Sequence, residues 1–272
     1  MTTSLLLIGA GKMGGAMLTG WLADGAAPGG VTVVEPDSAA REAWADRPGV
    51  VCHANVDDVA ETYRPTMVVL AVKPQTMATA LPALRRFAGP DTAFLSIAAG
   101  TTLAVFQRYL GDRAAIIRAM PNTPAAVGRG ISAYCGNAAA SDAQKDLAAR
   151  LLGAVGAVVA LDDESQMDAV TAVSGSGPAY VFHLIEALAA AGVAAGLPAD
   201  LATRLASTTV SGAGELARLS DEDASQLRIN VTSPGGTTQA ALEVLMDGET
   251  GLPPLMARAV AAAKARAAAL AE

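Results

Sequence analysis

Cysteine is nearly absent from this chain: Cys52 and Cys135 are the only two, and they show no CxxC spacing. That argues against a disulfide scaffold or a zinc ribbon, and with only His53 and His183 as histidines no metal site is expected. Aromatic residues make up 4 % of the chain, so its 52 % apolar fraction rests on alanine and aliphatic side chains. Such a composition suits tightly packed helices whose backbones approach closely. Basic residues are in the minority: 19 Lys and Arg against 26 Asp and Glu leave a formal net charge of −7. That argues against a large basic footprint, and nucleic acid is not an expected partner.

Long apolar runs are scarce too. Residues 4–8 are apolar but shorter than the core of a secretion signal, and they lead into glycines with no small-residue cleavage pattern, so a cytoplasmic protein is expected. Residues 178–196 approach membrane-spanning length, yet they carry His183 and Glu186 and are dominated by weakly hydrophobic alanine. A buried helix, with no membrane partner, is the expectation there.

What the chain does have begins with alternation. SLLLIG (4–9) is a short apolar run stopped by glycine, and the segment after it places Met13, Met17, Leu18, Trp21 and Leu22 on one helical face. VTVVEP, GVVCHA, TMVVLAV, TAFLSIAAG, AAIIRAM and VGAVVALDDE follow as further β-rich runs with helix-length or tight crossovers between them. This pattern reads as a Rossmann-type α/β domain, a doubly wound and mostly parallel sheet over residues 1–162. From 163 to 272 the chain reads as helices, with Pro178, Pro198 and Pro253 at helix starts. SGSGPAY (174–180) lacks both G-x-S-x-G spacing and a preceding strand, so it is expected to be a close-packed turn opening the long helix. The alanine-rich helices carry more apolar surface than one short bundle hides, which predicts packing against a second copy of the chain.

Between the first strand and first helix lies GAGKMG, with Gly9, Gly11 and Gly14 in G-x-G-x-x-G spacing and Ala10, Lys12 and Met13 between them. In that context the glycines allow a tight turn, close approach of a pyrophosphate and helix–strand packing, so a dinucleotide site is expected. Glu35 ends the second β-run, where an acidic residue accepts from ribose hydroxyls and repels a 2′-phosphate, which favours NADH. Ser38 and Arg41 stand close by and are able to receive a phosphate instead, leaving NADH and NADPH both open. AVKPQ (71–75), SIAAG (96–100) and RAMPNTPA (118–125) end later β-runs, so Ala71, Val72, Lys73, Pro74, Ala98, Ala99 and Gly100 are expected along a cofactor groove.

VTSPGGTT is the second ligand signal. Ser233 suits an N-cap and Pro234 a first helical position, while Gly235 and Gly236 leave backbone amides uncovered. Bare amides at a helix start bind an anion, and Thr237 and Thr238 add two hydroxyls beside them. A small carboxylate carrying a nitrogen at its other end would fit.

Through GAGKMG, AVKP, SIAAG, MPNTP, DAVTAVSGSGPAY and VTSPGGTT, spread over essentially its full length, the chain resembles the pyrroline-5-carboxylate reductases. The resemblance implies a Rossmann domain, a helical domain that interlocks in a homodimer, and often a ring of dimers. It implies reduction of Δ1-pyrroline-5-carboxylate to L-proline, the last step of proline biosynthesis, with NADPH or NADH. It also implies site roles: amides around Ser233, Gly236 and Thr237 for the substrate carboxylate, and the Thr238 hydroxyl, the catalytic candidate, for the ring nitrogen. By the same resemblance Glu164 belongs near substrate, Asn230 near the nicotinamide, Asn55 near the adenosine ribose, and Lys73 and Pro74 along the cofactor. Glu35 departs from the small or basic residue of many relatives. One rival reading is a related imine or β-hydroxyacid reductase, but no lysine for proton transfer occurs between Glu164 and Leu252. The other is a non-catalytic nucleotide-binding redox sensor, which the intact VTSPGGTT stretch disfavours.

Overall fold

A computed structural model describes residues 3–270. Its strands are β1 (Leu5–Ile8), β2 (Val31–Val34), β3 (Val50–His53), β4 (Met67–Leu70), β5 (Ala93–Ser96), β6 (Ala115–Met120), β7 (Gly130–Gly136) and β8 (Gly156–Ala160). They form one sheet in the order β3-β2-β1-β4-β5-β6-β7-β8. β1, β4 and β5 are buried at every residue, as parallel strands covered on both faces must be. The faces are covered by α1 (Lys12–Asp24), α2 (Ser38–Ala45), α3 (Pro74–Leu84), α4 (Leu103–Leu110) and α5 (Asp142–Gly153).

Alternate residues of β1 serve different cores. Leu5 and Leu7 pack with Met17, Trp21 and Leu151, whereas Leu6 and Ile8 pack with Leu81, Phe94 and Phe106. Buried Trp21 keeps its indole N–H satisfied by donating to the Leu151 carbonyl at 2.8 Å, which ties α1 to α5.

β7 was not foreseen from the sequence. It runs antiparallel to β6, with Cys135 opposite Arg118, and β8 then pairs parallel to β7. Its residues GISAYCG are mostly small, so they carry little of the β-branched signal that marked the other strands.

The SGSGPAY segment opens the long helix as expected, but through a π-helical turn that ends at Gly175 and a bend at Ser176, not through a loop. A 3-10 turn Glu164–Gln166, α6 (Met167–Val170), a π-helical turn Thr171–Gly175 and α7 (Gly177–Ala194) make one helical run, Glu164–Ala194. Thr171 Oγ1 donates back to the Met167 carbonyl at 2.9 Å and Ser174 Oγ to the Val170 carbonyl at 3.0 Å. Asn122 Nδ2 then donates to the Ser174 carbonyl at 3.1 Å, while Asn122 Oδ1 accepts from the Ile131 amide at 2.9 Å. The widened turn is therefore held from outside as well as from within.

The remaining helices are α8 (Ala199–Leu219), α9 (Ala224–Asn230), α10 (Thr237–Leu245) and α11 (Leu252–Ala269). Ala271 and Glu272, expected in the last helix, lie outside the described residues. The chain divides into two compact units: the described residues through Gly175 together with those from Lys264 onward, and Ser176–Ala263. The sequence-based boundary at 162 follows the last strand, whereas the division between units falls at the end of the π turn.

The second unit leaves much apolar surface uncovered by itself. α7 has no buried residue and α8 buries only Ala202 and Ala206, while Phe182 is 60 % exposed. Among the described residues, the run Glu164–Ala194 is also long and apolar enough, by length and composition, to cross a membrane.

Candidate active site

The glycine loop leaves backbone amides uncovered by side chains. Gly9 follows β1 at φ +91°, a conformation that favours glycine, and its amide donates to the Val34 carbonyl at 2.8 Å. Gly11 is the N-cap of α1 and has no capping side chain, and no acidic residue occupies the first turn. A Cβ at Gly11 would meet nothing within 4 Å, whereas one at Gly14 would run into the Gly9 carbonyl oxygen. Gly14 thus lets helix pack on strand, and Gly11 leaves the helix's first amides bare toward open space. Those amides and the positive end of the helix fit the pyrophosphate of a dinucleotide.

Because β1 to β5 are parallel, their C-terminal ends share one edge of the sheet. That edge collects the loop from Gly9 to Gly14, Glu35 after β2, Asn55 after β3, Ala71 to Pro74 after β4, and Ala98 to Gly100 after β5. Lys73 is the extended N-cap of α3, and Pro74 is its first residue. The Lys73 carbonyl accepts from the Thr76 amide at 3.0 Å and hydroxyl at 2.8 Å. Asn55 caps the 3-10 turn Val56–Asp58, its amide donating to Asp58 at 3.0 Å. Ser96 Oγ accepts from the Ala98 amide at 3.3 Å and steadies the SIAAG turn.

Glu35 faces inward. It is buried, with Oε2 accepting from the Ala10 amide at 2.7 Å and Oε1 from the Asp37 amide at 3.0 Å. The carboxylate thereby pins the glycine loop to the end of β2.

Glu164 lies in the first unit, where its Oε1 accepts from Arg118 Nη1 at 2.8 Å and from the Leu103 amide at 2.9 Å. Arg118 was not singled out from the sequence; the signal was a lone cation inside the apolar run AAIIRAM. Its neighbour across the sheet, Cys135, has its thiol pushed up to about 11, chiefly by burial and then by the Glu164 charge.

VTSPGGTT lies in the second unit, and its helix, α10, starts at Thr237, the position its sequence pattern gives, but with a different cap. Ser233 is not the N-cap: the Gly236 amide donates to the Ser233 carbonyl at 3.0 Å, closing a turn with Pro234 second and Gly235 third at φ +70°. Proline then left-handed glycine is type II turn chemistry, so Pro234 precedes the helix. Gly236 is the N-cap and offers no side chain, which leaves the amides of Thr237 and Thr238 bare at the start of α10. The Gly235 amide is taken by Gln239 Oε1 at 2.7 Å. Thr237 is exposed and Thr238 half-buried beside these amides. Asn230, at the end of α9, accepts from Gln226 and donates to Glu222, both at 2.8 Å. Among the described residues, no three or more His, Cys, Asp or Glu side chains are grouped to hold a metal ion.

Known proteins match both parts. Residues 164–270 match the family described as pyrroline-5-carboxylate reductase dimerisation, and residues 4–100 match the family described as NADP oxidoreductase coenzyme F420-dependent. The pyrroline-5-carboxylate reductase of Pseudomonas aeruginosa is 40 % identical over 272 residues, covering 100 % of this chain and 98 % of its own length. That of Pisum sativum is 41 % identical over 90 % of this chain and 88 % of its own length. Among solved structures, the pyrroline-5-carboxylate reductase of Coxiella burnetii superposes with a TM-score of 0.92 at 34 % identity, covering 100 % of both chains. The Plasmodium falciparum pyrroline carboxylate reductase with NADP bound gives a TM-score of 0.81 at 28 % identity, covering 99 % of this chain and 98 % of its own. With an eight-stranded Rossmann-type sheet, a helical second unit and full-length identity at this level, the chain belongs to the pyrroline-5-carboxylate reductase family.

Proposed function

We propose that the chain reduces Δ1-pyrroline-5-carboxylate to L-proline, the last step of proline biosynthesis, with NAD(P)H as reductant. The observation that carries this reading is the 40 % identity to a pyrroline-5-carboxylate reductase over the whole chain. The bare amide cradle at Gly11 and the uncapped start of α10 at Gly236 supply the chemistry it needs.

When bound, the reduced nicotinamide supplies the hydride. The chain's own task is to hold and orient, because a protonated cyclic imine already accepts hydride readily and alignment alone contributes several kcal/mol. In this proposal the loop from Gly9 to Gly14 binds the pyrophosphate, and Ala71 to Pro74 and Ala98 to Gly100 line the cofactor. The bare amides of Thr237 and Thr238 receive the substrate carboxylate, and Ser233 and Gly236, whose carbonyl and amide bond each other, close the turn that presents them. Thr238 is the catalytic residue, its hydroxyl bonding the ring nitrogen. Glu164 fixes Arg118 and the start of α4 through Oε1, and its other oxygen, unbonded among the described residues, stays available to substrate. Asn55 and Asn230 keep their proposed places near the adenosine ribose and nicotinamide.

The dimerisation match and the uncovered apolar faces of α7 and α8 give a homodimer. We extend this to a ring of dimers in the cytosol, without nucleic acid or membrane as partner. His183 and Glu186 on α7 accord with burial of that helix in protein instead of lipid. The test is loss of reduced-nicotinamide absorbance when purified protein meets pyrroline-5-carboxylate. Turnover is expected; none with either NADH or NADPH, in folded dimeric protein, would overturn the reading. Light scattering reads the size of the assembly.

A further inference from the structure

MPNTP (120–124) and SGSGPAY (174–180), two motifs to which the proposed function gives no task, meet at one hydrogen bond. Pro178 carries no amide hydrogen, so the Ser174 carbonyl four residues earlier has no donor at the usual helical position. The next amide, that of Ala179, donates to the Ser176 carbonyl at 3.0 Å. A half-buried carbonyl left in this way needs a donor from elsewhere. Asn122 supplies it, with Nδ2 reaching the Ser174 carbonyl at 3.1 Å. Asn122 Oδ1 accepts from the Ile131 amide at 2.9 Å, which fixes the plane of the side chain and aims its donor. Because a backbone amide only donates and a carbonyl only accepts, this side chain cannot be turned over.

Asn122 is one of three anchors on a single extended segment. Its backbone is extended, at φ −131° and ψ 165°, and continues the alternation of β6, so residues 118, 120 and 122 project to the same side. All three meet the helical run that opens at Glu164. Arg118 bonds Glu164 at 2.8 Å, a Cβ on Gly175 would run into the Met120 side chain, and Asn122 bonds Ser174. The spans agree, since four residues of extended chain cover about 13 Å and ten residues of helix about 15 Å. The run therefore lies along β6 with an anchor at each end, Glu164 at one and the π-helical turn at the other.

These anchors bear on one carboxylate. Glu164 Oε1 accepts from both Arg118 and the Leu103 amide, so the direction of its second oxygen depends on where the run sits along the strand. We propose that Asn122 is a positioning residue: by holding the carbonyl that Pro178 leaves without a helical donor, it keeps the run in the register at which Glu164 turns its second oxygen to the imine substrate. The proposal rests on the substrate role proposed for Glu164.

The test is steady-state kinetics of the whole protein with pyrroline-5-carboxylate, together with titration of reduced cofactor in its absence. Asn122→Asp keeps the acceptor for the Ile131 amide but sets an oxygen against the Ser174 carbonyl. It should raise KM for the imine about tenfold or more, while kcat and the Kd of reduced cofactor change less than about threefold. Asn122→Ala, which removes both bonds, should show the same split. In a Glu164→Gln background Asn122→Asp should raise KM less than about twofold further, because it acts through that carboxylate. Melting curves show that each variant is folded. An unchanged KM in folded Asn122→Asp would overturn the proposal, as would an undiminished effect in the Glu164→Gln background or an equal loss of cofactor binding. Failure of both Asn122 variants to fold would also overturn it, assigning Asn122 to the fold alone. Wild-type turnover alongside any of these results leaves the proposed function standing; no wild-type turnover removes that function, and this proposal with it.

Discussion

The Arg118 guanidinium and the Glu164 carboxylate meet at 2.8 Å, joining β6 to the 3-10 turn that opens the long helical run. The two are unequally buried, with side-chain exposures of 4 % and 27 %. Removing the carboxylate therefore strands a cation that has almost no access to water. Glu164→Ala should destabilise the first unit by about 2–3 kcal/mol, below the fullest cost of such a loss because Glu164 is partly solvated. Glu164→Gln keeps an acceptor for Arg118 and the Leu103 amide, so it should cost less. Both tryptophans, Trp21 and Trp44, lie in the first unit, so denaturant unfolding followed by their fluorescence reads the effect. An unchanged midpoint for Glu164→Ala would mean that the pair contributes no net stability.

The glycine loop separates folding from binding within four residues. Gly11→Ala places a methyl in open space, so the melting temperature should hold while the Kd for reduced cofactor rises about tenfold or more, the methyl blocking approach to the amides. Gly14→Ala drives a methyl into the Gly9 carbonyl oxygen, a backbone atom that cannot swing aside. Overpacking of that kind should cost about 3 kcal/mol of stability. Parallel melting and cofactor titrations check both variants; normal cofactor affinity in folded Gly11→Ala would show that the amides are not the anion site.

Cys135 gives stability a definite pH dependence. Its thiol is raised from 9.0 to about 11 in the folded chain, so the folded state holds this proton more tightly than the unfolded one. The contribution is intact below about pH 9 and is lost as pH climbs from about 9 to 11, where the unfolded thiol ionises first. The measurement is a difference between two proteins, so that every other alkaline contribution cancels. Cys135→Ala should flatten part of the alkaline fall in unfolding free energy relative to wild type. Identical slopes in the two proteins would remove Cys135 from the alkaline response.

What was legible in the sequence was local. LLLI stopped by GAGKMG shows strand, turn and helix within a dozen residues, and the structure keeps that order. β7 escaped because Gly130, Ser132, Ala133 and Gly136 dilute its β signal, and because its pairing partner is set by the sheet and not by its own residues. Glu35 was visible as an acid at a strand end, but its partner amide at Ala10 lies 25 residues earlier, and only the folded loop decides which way the carboxylate turns. The same holds for Arg118 and Glu164, separated by 46 residues. At VTSPGGTT the residue types suited either a helix entry at Ser233 or a turn before it. The left-handed φ of Gly235 shows that the turn prevailed, moving the bare amides to Thr237 and Thr238.

That shift bears on Thr238, which stands in the first turn of α10 behind an N-cap with no side chain. Among the described residues no side chain caps the amides there, and the half-buried Thr238 places a hydroxyl beside them. If it donates to the ring nitrogen as hydride arrives, the bond strengthens as the nitrogen gives up its positive charge and gains a lone pair, and its loss must appear in kcat as well as KM. Thr238→Ala should lower kcat/KM about tenfold or more, the equivalent of a hydrogen bond worth about 1.5 kcal/mol. Thr238→Ser retains the hydroxyl and should recover most of the activity. A change in KM alone, unrestored by serine, would assign Thr238 to packing at the helix start; wild-type kinetics for the alanine variant would remove it from the reaction altogether.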